Sequence, residues 1–91
     1  MDEQLKQEIK QELLDLKEEV SNGDINDNWR RCYKLSSEVH QKVFNNLNHD
    51  LNNFRLSSIT HKIIQYFFVS LRNDYDKEIV LIDIEKAISL M

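Results

Sequence analysis

Cys32, His40, His49 and His61 are the residues of this 91-residue chain best suited to metal binding or acid–base chemistry. They follow one another at intervals of eight, nine and twelve residues. None of these is the spacing with which a helix or tight turn presents paired ligands, as in His-Glu-x-x-His or Cys-x-x-Cys. A metal centre is therefore not expected, and His40, at the edge of an apolar arc, reads as a partly buried, hydrogen-bonded imidazole. Cys32 lies inside an apolar stripe, where a thiol behaves as a small hydrophobe rather than a nucleophile. One glycine cannot build a phosphate-cradling loop. The sequence nominates no reacting group and no cofactor, and an enzyme is not expected.

Two other groupings could carry recognition. "NDNWRRCYKLSSEVH", residues 26–40, sets the only tryptophan beside two arginines, a tyrosine and a lysine. Arg30, Arg31, Lys34 and Lys42 are the candidates for a nucleic-acid surface, with a helix-turn-helix-like reading of the middle of the chain as the alternative function. Against it stand a pI near 5.3, bases dispersed over several helices, and no glycine turn joining two short helices. The second grouping is acidic: Glu8, Glu12, Asp15, Glu18 and Glu19 recur along the N-terminal segment. Lys6, Lys10 and Lys17 stand among them at helical pairing distances, which marks a solvated face rather than a catalytic acid and base. Such a face would steer the chain to a basic partner.

The elements that must position these residues are helices. Zero prolines and a single Gly23 leave little of the usual punctuation of turns and strand ends. Leu5, Ile9, Leu13, Leu16 and Val20 form one stripe at helical spacing, predicting a first helix over residues 2–21. Asp2 is its N-cap, and Gly23 takes the left-handed position that ends it. Asp24, Asn26 or Asp27 caps a second helix with the stripe Trp29, Cys32, Ser36, Val39, Val43 and Leu47. On this wheel the aromatics belong to the core and the arginines to the outer side. The asparagine-rich stretch "NNLNHDLNN" competes for backbone hydrogen bonds and predicts a weakened segment or turn between about 46 and 57.

A third helix starts at Ser57 or Ser58 and ends near Asn73 or Asp74. Its apolar residues cover more than half its circumference, as in a helix that is central or shared with a second interface. The last segment starts at Asp74 or Asp76, with Val80, Leu81, Ile84, Ala87, Ile88 and Met91 on one face. Its β-branched run from Ile79 to Ile84 also suits a buried strand, and the lack of a partner strand favours helix. Residues 1–91 thus form one all-α domain, a small up-and-down four-helix bundle.

Charge is sorted along the chain. Residues 1–24 hold eight acids and three bases, 25–73 three acids and seven bases, and 74–91 five acids and two bases, giving −5, +4 and −3. Acidic terminal helices either pair internally with a basic middle or offer a face to a partner. Val69, Ile79, Ile82 and Leu90 point away from the main stripes, which predicts a homodimer or a stable hetero-complex. One cysteine, no secretory pattern, and no apolar run near the ~20 residues that span a bilayer make the cytoplasm the expected compartment. In size, acidity and helical make-up the chain resembles the small inhibitor and immunity proteins of bacteria and phages, several of which are helical bundles. That resemblance implies a non-enzymatic protein-binding module and carries no residue over.

Overall fold

The computed structural model describes residues 1–68 and 75–91. Four helices follow in order: α1 Glu3–Asn22, α2 Ile25–Phe44, α3 Leu51–Gln65 and α4 Lys77–Ser89. The segment Ile79 to Ile84 is helical, and the described residues contain no strand. Each helix starts at an aspartate. Asp2 accepts from the Leu5 amide, Asp24 from Asn26, Asp50 from Asn52 and Asn53, and Asp76 from Glu78 and Ile79. A short carboxylate in extended backbone satisfies amides that the first helical turn leaves unpaired. In a chain without proline, aspartate supplies the start signal four times.

α1 packs on α2 and α4, and α3 packs on the same two helices, so the four close into a ring. Contacts between neighbours give the directions. Glu19 meets Arg31 and Glu12 meets Lys42; Tyr33 meets Phe68 and His40 meets His61. Residue numbers fall along one helix as they rise along the next, which makes α1/α2 and α2/α3 antiparallel. The molecule measures 36 × 20 × 19 Å, in keeping with the ~30 Å length of a twenty-residue helix. The core takes the predicted stripes: Ile9, Leu13, Leu16 and Val20 from α1, Cys32, Val39 and Val43 from α2, and Val80, Ile84 and Ala87 from α4. Leu56, Ile63 and Phe67 close it from the α3 side.

Several boundaries differ from those read in the sequence. Gly23 is not left-handed: its φ is −105° and ψ 171°, ordinary extended backbone. A glycine is needed there for space, because a Cβ would lie 2.8 Å from the Glu19 carbonyl oxygen and collide with the Asn28 amide. The left-handed residues are Asn48 and His49, with φ of 52° and 56°, in the connection between α2 and α3. They confine the break to residues 45–50, so α3 starts after Asp50 rather than at Ser57 or Ser58. Asn53 is absorbed by helping to close that turn, its amide donating to the Leu47 and Asn46 carbonyls at 3.1 and 3.3 Å. α3 ends at Gln65, earlier than read, as the Tyr66 and Phe67 amides tighten onto the carbonyls three residues back. The predicted end at Asn73 or Asp74 lies outside the described residues.

Candidate interaction site

α2 carries most of the polar chemistry, and its two flanks do different things. The flank toward α1 is spent on ion pairs. Lys42 bonds Glu12, with Glu8 4.0 Å away, and Arg31 pairs with Glu19. The hydrogen bond to Glu12 is the main cause that raises the Lys42 pKa. Glu12 gains only half of what it needs, since its Oε2 is shut off without a hydrogen-bond partner. Asn28 reinforces the second pair by donating to the Glu19 backbone carbonyl at 2.9 Å. Elsewhere Lys17 of α1 pairs with Glu85 of α4. Of the acidic candidates, Glu8, Glu12 and Glu19 face α2, Asp15 accepts from Gln11 at 3.0 Å, and Glu18 is exposed.

Of the basic candidates, Arg31 and Lys42 are held in these pairs, and Lys34 is exposed. Arg30 corrects the separation of basic and aromatic sides read in the sequence. Its guanidinium lies over the Trp29 ring, 5.3 Å from the centroid, because the long stem folds back across the 100° between neighbouring helical positions. Of residues 26–40, Cys32, Ser36 and Val39 are buried, while Trp29 itself is half-buried. Burial pushes the Cys32 thiol up to about 11, the state of an inert core residue.

The flank of α2 toward α3 is aromatic and open. Tyr33 and Phe44, given to the core in the sequence reading, are instead exposed, Phe44 by 59%. The Tyr33 and Phe68 rings lie 6.0 Å apart, the His40 and His61 rings 5.4 Å, and His40 stands 6.0 Å from Phe44. A shallow depression lined by Ser37, His40, Gln41, Phe44 and Asn45 runs beside them. His40 is fixed by Thr60: its Nδ1 shares a hydrogen bond with Thr60 Oγ1 at 2.8 Å, and Thr60 Oγ1 also lies 3.1 Å from the Ser57 carbonyl oxygen. Burial and the adjacent His61 hold the His40 pKa below its ordinary value. No group of three or more potential metal ligands exists among the described residues.

On α4, Ile79 and Ile82 face solvent at 46% and 54% exposure. Leu90 does not join them, contrary to the sequence reading; it caps α4 and packs, half-buried, against the core. Val69 lies outside the described residues. One polar residue went unforeseen. Asp83 sits within the apolar run of α4 and is only 4% exposed. It accepts from the Tyr66 hydroxyl at 2.5 Å and has Lys62 at 3.3 Å and Lys86 at 3.9 Å. Burial and the bond to Asp83 raise the Tyr66 pKa, and the bonds to Tyr66 and Asp83 raise that of Lys62. Through Tyr66 and Lys62 this cluster ties the end of α3 to α4. Its signal was positional: residue 83 follows Val80 by three, on the side that must face a neighbour.

No protein-family model matches the chain, and no curated protein or solved structure matches it. No helix of the described residues is long and apolar enough to cross a membrane.

Proposed function

We propose that this protein is a non-enzymatic interaction module, an inhibitor, immunity-type or regulatory protein that acts by stoichiometric association with a protein partner or with itself. The observation that carries the reading is the amount of large apolar side chain left in water on a bundle whose core is already filled. Tyr33, Phe44, Phe54 and Phe68 are exposed, with the Tyr33 and Phe68 rings side by side, and Ile79 and Ile82 stand three residues apart on α4. Single exposed hydrophobes are ordinary, but groups of them on rigid helices are the surfaces that partners cover. Glu8, Asp15 and Glu18 keep enough acidic surface on α1 to steer a basic partner.

The test is native mass spectrometry of the tagged chain isolated at low salt from its source cell, beside light scattering of the purified chain. A complex or dimer of fixed stoichiometry is expected. It should weaken with salt, with charge reversal at Glu8, Asp15 and Glu18, or with Ile79→Asp and Ile82→Asp. A chain that stays monomeric and alone, and binds no apolar dye, overturns the reading.

A further inference from the structure

Two short side chains, Ser58 and Ser89, leave the seam between α3 and α4 open at one end. The helices run antiparallel, with Lys62 opposite Asp83 and, one to two turns away, residues 55–59 opposite residues 86–90. On a wheel of either helix the seam has the same order from the core outward: an aliphatic residue (Ile59, Leu90), a cation (Arg55, Lys86) and a serine (Ser58, Ser89). Ile59 and Leu90 are half-buried against the core, and the cations and serines are exposed. Nearer Asp83 the seam is closed by Lys62 and Tyr66. Where the outer positions are serines it is not, and a depression of about 390 Å³ opens, lined by Arg55, Ser58 and Ile59 of α3 and Lys86, Ser89 and Leu90 of α4. Sites for small molecules begin at roughly this size.

The lining holds two cations and no carboxylate. α3 carries no acid from Leu51 to Gln65, and Asp50 before it is engaged by the Asn52 and Asn53 amides. On α4, Asp83 is buried and bonded by Tyr66; Lys86 meets it only at 3.9 Å and stays 62% exposed. Glu85 turns round the helix to Lys17 of α1, and Glu78 lies about two turns before Lys86. Arg55 makes no ion pair among the described residues. The Ser89 hydroxyl donates to the Lys86 carbonyl at 2.7 Å, which leaves the Ser58 hydroxyl as the neutral donor at the rim. Aliphatic walls beneath two cations suit a hydrocarbon body with one oxyanion head. Taking the body out of water against Ile59 and Leu90 supplies affinity that exposed charges alone do not, and the cations orient the head. Inorganic phosphate would leave the walls unused, and a neutral hydrocarbon would leave the cations unused.

We infer that the depression between α3 and α4 binds a small amphiphilic oxyanion, its hydrocarbon body on Ile59 and Leu90 and its head between Arg55 and Lys86. Such a site is independent of whether the chain also associates with a protein. The probes are octanoate and hexanoate, used below their micellar concentrations, with hexanol as the uncharged body and acetate and inorganic phosphate as heads without one. Titration of the full chain followed by backbone amide NMR shifts gives both affinity and location.

Octanoate is expected to saturate, to shift amides of residues 55–59 and 86–90, and to bind more tightly than hexanoate, which in turn outbinds hexanol and acetate. Arg55→Gln and Lys86→Gln should each weaken octanoate by about threefold, the effect of an exposed ion pair, and together by about tenfold. Lys34→Gln and Ile82→Ser, away from the depression, should leave it unchanged. All four are exposed positions, and circular dichroism checks that each variant remains folded. Four results overturn the inference: no saturable octanoate binding, hexanol binding as tightly as hexanoate, shifts centred on Phe44, Phe54 or Ile79, or a double variant within about twofold of the parent. Inorganic phosphate moving the same amides with the affinity of octanoate overturns it too, by reducing the depression to a contact for an adventitious ion only.

Discussion

At the scale of single residues, this bundle is held in register by a few polar side chains that have each found a partner on another helix. Glu12 is the most exposed to loss. One of its oxygens takes Lys42 and the other has nothing, so removing the cation strands a half-buried carboxylate. Lys42→Ala is expected to cost about 1–3 kcal/mol in urea unfolding, and Glu12→Gln with Lys42→Met should recover most of it. If the double variant is no better than the single one, the pair contributes more than mutual compensation. His40 makes stability depend on pH. Its folded pKa lies below the ordinary value of 6.5, so the unfolded chain takes up its proton first as pH falls. The full contribution is present above about pH 6.5 and is lost as pH drops from there toward the folded value. Melting temperatures between pH 7.5 and 5.5 should fall less for His40→Gln than for the parent; parallel slopes would show that His40 titrates alike in both states.

The helices themselves show how a chain with one glycine and no proline is divided. Aspartate at all four N-caps starts them, and Asn48 and His49 in left-handed backbone turn α2 into α3. Asp50→Ala is expected to cost about 1 kcal/mol, and Asp50→Asn much less, because asparagine still accepts the N2 and N3 amides; thermal unfolding of both measures it. The apolar stripes of α1, α2 and α4 were legible because a 3.6-residue period survives whatever it packs against. The start of α3 was not, because asparagine is equally at home in a turn and at a first helical turn. Of the cluster, Asn45 to Asn48 leave the helix while Asn52 and Asn53 stay in it. The exposure of Tyr33 and Phe44 escaped for a related reason. Tyr33, His40 and Phe44 lie beside the core stripe, and a wheel of one helix does not show whether its neighbour covers that arc. α3 reaches His40 through Thr60 and leaves Tyr33 and Phe44 in water.

For the molecule as a whole, Cys32 offers a direct readout of cooperativity. It has no exposed surface, and burial raises its thiol to about 11, so a disulfide reagent at pH 8 should react only through opening of the bundle. Its rate is expected to track global stability across the Lys42 and Asp50 variants; a fast rate insensitive to them would place a local opening at α2. The connection between α1 and α2 has a different consequence. Only Gly23 and Asp24 separate twenty helical residues from twenty more, and the chain can reverse there because Gly23 leaves room for Asn28 against the Glu19 carbonyl. Gly23→Ala closes that space and supplies a strong helix former, so α1 and α2 gain a straight alternative, one rod of about 63 Å. Two such rods can each return the exchanged half to the other's core, rebuilding every buried contact between chains. Size-exclusion chromatography of Gly23→Ala should therefore reveal a domain-swapped species, larger than the parent's and growing with concentration, which makes one hydrogen atom in place of a methyl group the guard of the hairpin between α1 and α2.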